Sequence, residues 1–224
     1  MRVLVVEDEK RLAETLRWGL VAEGYAVDIA NDGPDGLELA VSNPYQAIIL
    51  DIMLPRMNGY RVCAELRTQG ITTPVLMLTA KNGEYDEAEA LDTGADDFLS
   101  KPFSYVVLQA RLRALIRRGR TGGSSVLTFG DLAVDQARRT VMRAGQPIAL
   151  TTKEFAVLEC LLRHDGSAVT KREILDEVWD MAYQGDPNIV EVYVSALRRK
   201  VDAPFGRHTI ATVRGVGYRM VSDD

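Results

Sequence analysis

The sequence has little of what builds disulfide scaffolds or histidine metal centres. Only two of its 224 residues are cysteine, Cys63 and Cys160, and only two are histidine, His164 and His208. The cysteines lie far apart, each inside a helical pattern. Both are expected to be buried thiols of a reducing cytoplasm, not a disulfide or a metal site. Two histidines so widely separated argue against a histidine-based metal cluster. Long apolar runs are also missing: none approaches the ~18 residues that span a bilayer. The opening MRVLVVEDE turns acidic at once and offers no basic apolar leader. A cytoplasmic protein with no membrane partner is expected.

What is present divides into two halves. Residues 1–118 carry 13 Lys/Arg against 18 Asp/Glu, a net of −5. Residues 119–224 carry 14 of each, a net of zero with local basic clusters. Between them RRGRTGGSS, 117–125, is polar and lacks apolar periodicity, as a linker does. The expected domains are 1–118 and 126–224, joined by 119–125.

In the first half VLVV (3–6), AVDIA (26–30), AIIL (47–50), VLML (75–78) and DFLS (97–100) read as strands. Helical patterns run at roughly 10–23, 34–42, 59–69, 84–92 and 104–118. Continuous apolar strands alternating with helices predict a doubly wound, five-stranded parallel sheet. The second half predicts a smaller α/β domain. Strand-like pieces fill 126–150, and two capping boxes, Thr151 with Glu154 and Thr170 with Glu173, open two helices. A third helix starts near Pro187 and runs to about Val201, and TIATVRGVGYRMV reads as a hairpin.

In open α/β sheets the working residues gather at the carboxyl ends of strands. Here those ends carry Glu7-Asp8-Glu9, Asp51, Thr79 and Lys101. Three carboxylates on one rim repel one another, and a hard divalent cation removes that cost. Mg²⁺ suits Glu7, Asp8, Asp51 and the Met53 carbonyl. A carboxylate is also a nucleophile toward phosphorus. Asp51 is expected on a rigid tip, exposed enough to be attacked, with Lys101 and Thr79 stabilising the transferring group.

At this point the chain resembles a known family. VVEDE (5–9), LDIMLPRMNG (50–59), LTA (78–80), TGADDFLSKPF (93–103) and LRALIRR (112–118) are similar to a two-component receiver domain. LTTKEFAVLECLL (150–162), VTKREILDEVW (169–179), NIVEVYVSALRRKV (188–201) and TVRGVGYRM (212–220) are similar to the winged-helix effector of the OmpR/PhoB response regulators. The resemblance implies Asp51 as phosphoacceptor, Thr79 and Lys101 as phosphoryl contacts, and Phe98 at the aromatic switch position. It matches Pro102 to a cis proline. It also implies a homodimer through the predicted helices at 84–92 and 104–118 and the strand between them. Ala88, Leu91 and Ala110 match its apolar patch, and Asp96, Asp97, Arg111 and Arg113 its charges. One family ion pair is altered, because Glu87 and Val107 stand where a basic and an acidic residue are common.

In the third effector helix Val190, Val194, Leu197 and Val201 share one side, the core stripe. Asn188, Val192, Ser195 and Arg199 centre on the other, with Ala196 and Arg198 at its edges. An outward valine suits a major groove, where it meets thymine methyls. Arg198, Arg199 and Lys200 supply charge for phosphates. Tyr193 completes the candidate set, and Arg214 matches the wing residue of a minor groove. By the same resemblance, residues 181–187 match a loop that contacts RNA polymerase.

The expected function is a DNA-binding response regulator. A histidine kinase phosphorylates Asp51 with Mg²⁺, which promotes dimerisation on repeated promoter half-sites. Accessory phosphoryl acceptance and slow autodephosphorylation would be its only catalysis. Two alternatives differ in class. A phosphorylation-independent regulator would use the pocket as scaffold. A Mg²⁺ phosphohydrolase would need a second carboxylate near Asp51, yet Met53 stands two residues on.

Overall fold

The computed structural model of the chain describes residues 1–79, 93–119, 126–136, 138–180, 183 and 185–222. They form two compact units, the first built on residues 2–22 and 26–119, the second mainly on residues 126–222.

The first unit is a parallel sheet of β1 (Arg2–Val6), β2 (Ala26–Ala30), β3 (Ala47–Asp51), β4 (Val75–Thr79) and β5 (Asp97–Ser100). Its spatial order is β2-β1-β3-β4-β5. Every residue of β1, β3 and β4 is buried. Their unbroken Val, Leu and Ile runs fit strands covered on both faces. The covering helices are α1 (Lys10–Ala22), α2 (Gly33–Ser42), α3 (Gly59–Thr68) and α4 (Tyr105–Arg118). The helix predicted at 84–92 lies outside the described residues.

Local chemistry starts these helices. The Asp32 side chain accepts from the Asp35 N–H at 3.0 Å, with Pro34 in the first turn of α2. Asn58 accepts from the Arg61 N–H at 2.9 Å and opens α3. The register places Asp51 beside Leu78 and Thr79 beside Ser100. The carboxyl ends of β1, β3, β4 and β5 therefore share one rim.

The second unit opens with an antiparallel sheet of β6 (Val126–Phe129), β7 (Leu132–Asp135), β8 (Thr140–Arg143) and β9 (Gln146–Ile148). Helix α5 (Thr152–Arg163), short strand β10 (Val169–Thr170) and helices α6 (Lys171–Val178) and α7 (Ile189–Leu197) follow. Strands β11 (Ile210–Val213) and β12 (Gly217–Met220) form the hairpin, and β10 pairs with β12. Both predicted capping boxes are formed: Glu154 accepts from the Thr151 N–H, and Glu173 from the Thr170 N–H, each at 2.7 Å. Val157, Leu161, Ile174, Val190, Val194 and Leu197 meet in one core.

Two glycines shape the hairpin. Gly215 turns the chain with φ +75. A Cβ on Gly217 would lie 1.9 Å from the Val169 carbonyl oxygen, so only glycine lets β10 approach. One element departs from expectation. The helix predicted to about Val201 is α-helical only to Leu197, and Arg198–Asp202 form a wider π-type turn. Asp202 is buried there, accepting from Arg143 Nη1 at 2.8 Å and Thr209 Oγ1 at 2.6 Å. Those tertiary bonds favour the wider turn.

Candidate functional site

The rim of the first unit gathers the predicted pocket. Carboxylate oxygens of Glu7, Asp8 and Asp51 lie within 4.8 Å of one another. Glu7 and Asp51 are buried, and Asp8 is exposed. Lys101 Nζ sits 2.9 Å from Glu7 Oε2 and 3.1 Å from Asp51 Oδ2. Its backbone N–H donates to the Thr79 carbonyl at 2.6 Å, and the Lys101–Pro102 peptide is cis.

Burial raises the Glu7 pKa, and the Asp51 charge adds to that. Burial alone would lower Lys101, yet its bond to Glu7 and the charge of Asp51 raise it overall. One ammonium thus faces two buried carboxylates beside a third. This surplus of negative oxygen fits a hard divalent cation. Met53 is 62% exposed, between the buried Ile52 and Leu54.

Asp51 departs from expectation in its exposure. It is only 3% exposed, because it closes a fully buried strand and Lys101 lies over it. The chain turns away sharply after it. Gly59 N–H donates to the Ile52 carbonyl at 2.9 Å, and a Cβ on Gly59 would lie 2.2 Å from the Asp51 carbonyl oxygen. The Asn58-Gly59 pair is thus a cap followed by a close approach. Thr79 is buried, and Phe98 is half-buried against the core on β5.

The predicted dimer residues fall in different settings. Ala88 and Leu91, with Glu87, lie outside the described residues. On α4, Ala110 and Arg113 are exposed, and Val107 is 42% exposed. Arg111 Nη1 bonds Asp97 within the domain at 2.6 Å. The Asp96 carboxylate accepts from the Val75 N–H at 2.8 Å and from Arg67 of α3 at 3.0 Å. That network is tertiary, and no local pattern points to Arg67 as partner.

In the second unit the stripe on α7 is arranged as read. Val190, Val194, Leu197 and Val201 are buried, while Asn188, Val192, Ser195 and Arg199 are exposed. Val192 is 60% exposed, unusual for a valine within a helix. Arg214 is exposed at the hairpin.

Other expected contacts already have partners in the domain. Arg198 Nε donates to the Ile210 carbonyl and Nη2 to Thr212 Oγ1, both at 2.9 Å, so it ties α7 to the hairpin. Lys200 Nζ bonds Glu154 at 2.7 Å. Tyr193 packs edge-on against Trp179 at 5.5 Å, and Ala196 is half-buried. Helical projection sorts residues by face but does not reveal partners on other elements. It also passed over Lys171, which follows the Thr170 cap and pairs with Glu191 of α7. Of the predicted polymerase loop, residues 181, 182 and 184 lie outside the described set.

Among the described residues no helix is long and apolar enough to cross a membrane. Residues 3–113 match the family model "Response regulator receiver domain", and residues 145–220 match "Transcriptional regulatory protein, C terminal". The chain is 45% identical over 223 residues to the transcriptional regulatory protein TcrA of Mycobacterium tuberculosis, covering 100% of this chain and 88% of that one. It is 45% identical over 217 residues to the transcriptional regulatory protein PcoR of Escherichia coli, covering 97% and 96%. The receiver domain of the Francisella response regulator 1452 matches with a TM-score of 0.52 and 35% identity, over 53% of this chain and 98% of that one. A rim of carboxylates with one lysine, an exposed helix face on a second unit and full-length relatives agree. The chain belongs to the OmpR/PhoB-type response regulators, transcriptional regulators with a receiver domain followed by a DNA-binding domain.

Proposed function

We propose that Asp51 accepts a phosphoryl group from a phosphohistidine of a cognate sensor kinase, and that this step controls DNA binding by the second domain. The observation that carries the reading is Lys101, whose ammonium reaches both Glu7 and Asp51 at a rim of three carboxylates. An Asp51 carboxylate oxygen attacks phosphorus. The phosphorus–nitrogen bond breaks, and its electron pair leaves with the imidazole. Lys101 balances charge on the phosphoryl oxygens, with Thr79 beside it. Glu7, Asp8, Asp51 and the Met53 carbonyl would hold Mg²⁺, which when bound supplies further positive charge at those oxygens. Slow attack of water on the acyl phosphate returns the carboxylate and inorganic phosphate. The chain is a switch rather than an enzyme with turnover on external esters.

The domains are 1–118 and 126–224, joined by 119–125. The new charge at Asp51 biases Thr79 and Phe98. It favours a homodimer through Ala88, Leu91 and Ala110 with the charges of Asp96, Asp97, Arg111 and Arg113. Two effector domains then bind repeated half-sites in double-stranded DNA. Asn188, Val192, Ser195 and Arg199 face the major groove and Arg214 the minor groove. Arg198 and Lys200 offer charge from its edges while keeping their partners within the domain. RNA polymerase meets the loop at 181–187, in the cytoplasm. A second reading, regulation without phosphorylation, draws on one observation: Val107 is exposed where the family commonly carries an acid.

The test is peptide mass mapping after incubation with a small-molecule phosphodonor. Phosphoryl mass on the peptide holding Asp51, dependent on Mg²⁺ and absent in Asp51→Asn, is expected. Unmodified protein under conditions that phosphorylate a control receiver would favour the second reading.

A further inference from the structure

Outside both sites, three donor side chains converge between α5 and α6. We propose that Cys160, His164 and Glu177 form a binding site for a borderline-soft divalent transition metal of the Zn²⁺ class, with water as a fourth ligand. Their donor atoms all lie within 4.8 Å of one another. Cys160 and His164 are four residues apart, so they share one side of α5 and its end. Glu177 comes from α6.

The histidine is oriented as a ligand would be. Its Nδ1 lies 2.8 Å from the Cys160 carbonyl oxygen. A carbonyl only accepts, so Nδ1 carries a proton, and in the neutral imidazole the lone pair is on Nε2. Such a bond is the usual device that fixes a metal-binding imidazole. Nε2 faces Glu177 Oε1 at 3.5 Å. Two nitrogen and oxygen ligands of a tetrahedral Zn²⁺ stand about 3.4 Å apart, given bonds of about 2.0–2.1 Å. The carboxylate is oriented too. Arg163 Nη1 lies 3.6 Å from the other oxygen, Oε2, which leaves Oε1 toward the histidine.

The third donor is the Cys160 thiol, which is buried. Burial pushes its pKa up, and the neighbouring Glu177 charge adds to that, so the thiol gives up its proton only when a cation binds. Metal binding displaces the thiol proton: Cys–SH and M²⁺ give Cys–S⁻–M²⁺, and H⁺ leaves to solvent. A thiolate, a carboxylate and a neutral imidazole then face the ion, with Arg163 beside the outer Glu177 oxygen. The side chains of His164 and Glu177 are 33% and 30% exposed, so the ion has an entry from solvent. Occupied, the site would clip α5 to α6, whose first residue Lys171 pairs with Glu191 of α7. The clip acts on the DNA-binding domain and does not depend on Asp51.

The test uses the full chain, with Co²⁺ as spectroscopic probe and Zn²⁺ as competitor. Thiolate-to-cobalt charge-transfer absorption is expected at one ion per chain, with proton release and loss of the band on adding Zn²⁺. Cys160→Ser abolishes the band. His164→Gln and Glu177→Gln, on partly exposed side chains, each weaken binding by at least about tenfold, with unchanged circular dichroism. Cobalt held by oxygen ligands around Asp51 gives no thiolate band, and Asp51→Asn leaves the band intact. No band in the folded wild-type chain, or an unchanged affinity in both glutamine variants, would overturn the proposal.

Discussion

At the scale of single residues the pocket is built by exclusion as much as by attraction. Gly59 is required because the chain after Asp51 folds back onto its own carbonyl. Gly59→Ala is expected to cost roughly 1–3 kcal/mol, as overpacking does, and to slow phosphorylation of Asp51. Urea unfolding and phosphorylation rate check both, and an unchanged rate would separate Gly59 from the site. Glu7 gives a pH-dependent test. Its folded pKa is raised by burial, so the folded state holds the proton more tightly than the unfolded state. Stability from Glu7 is full below the unfolded value and falls as pH rises through the folded value. Mg²⁺ should therefore stabilise the chain more above that window than below it. The gain is about 2.7 kcal/mol when the free cation is about a hundredfold above its dissociation constant. Melting with and without Mg²⁺ across the acid range reads this directly. An increment independent of pH would contradict the role given to Glu7.

The residues of this pocket were legible because each one ends a strand. Their exposure was not. Asp51 read as an accessible tip, yet a fully buried strand and an overlying lysine cover most of it. Arg198 and Lys200 read as charge for phosphates, and their partners Ile210, Thr212 and Glu154 were not legible because they sit on elements that periodicity does not connect.

At the scale of elements, one buried arginine holds the effector together. Arg143 of β8 bonds Asp131 at 2.9 Å, Asp202 at 2.8 Å and the Val201 carbonyl at 2.6 Å, and it is 1% exposed. Arg143→Met strands a buried carboxylate and is expected to cost about 3–5 kcal/mol. The double variant with Asp202→Leu should recover part of that loss in thermal unfolding. A single-variant loss below about 1 kcal/mol would mean that solvent already screens the pair. The recognition face behaves oppositely. Val192→Asp should leave stability within about 0.5 kcal/mol while weakening DNA binding, because Val192 supports no core contact. Equal DNA affinity would remove α7 from the interface. Strands, capping boxes and the two-glycine hairpin were legible from local pattern. The π-type turn after Leu197 was not, since the bonds favouring it come from outside the helix, from Thr209 and the sequence-distant Arg143.

At the scale of the whole molecule two compact units carry two different kinds of chemistry. The receiver holds charge at a rim and the effector presents a helix face. The motifs made both domains legible in order, because each function uses residues fixed by a local pattern. The dimer face was less so. Asp96 matched a surface charge by position and is exposed, but its bonds to Val75 and Arg67 within the domain could not be read from the sequence. The most direct measurement is DNA affinity of the full chain, wild type and Asp51→Asn, each with and without phosphodonor and Mg²⁺. Tighter binding to a site of two repeats is expected only for phosphorylated wild type, with a dimer on the DNA. Equal affinity in all four samples, with Asp51 shown to be phosphorylated, would contradict it.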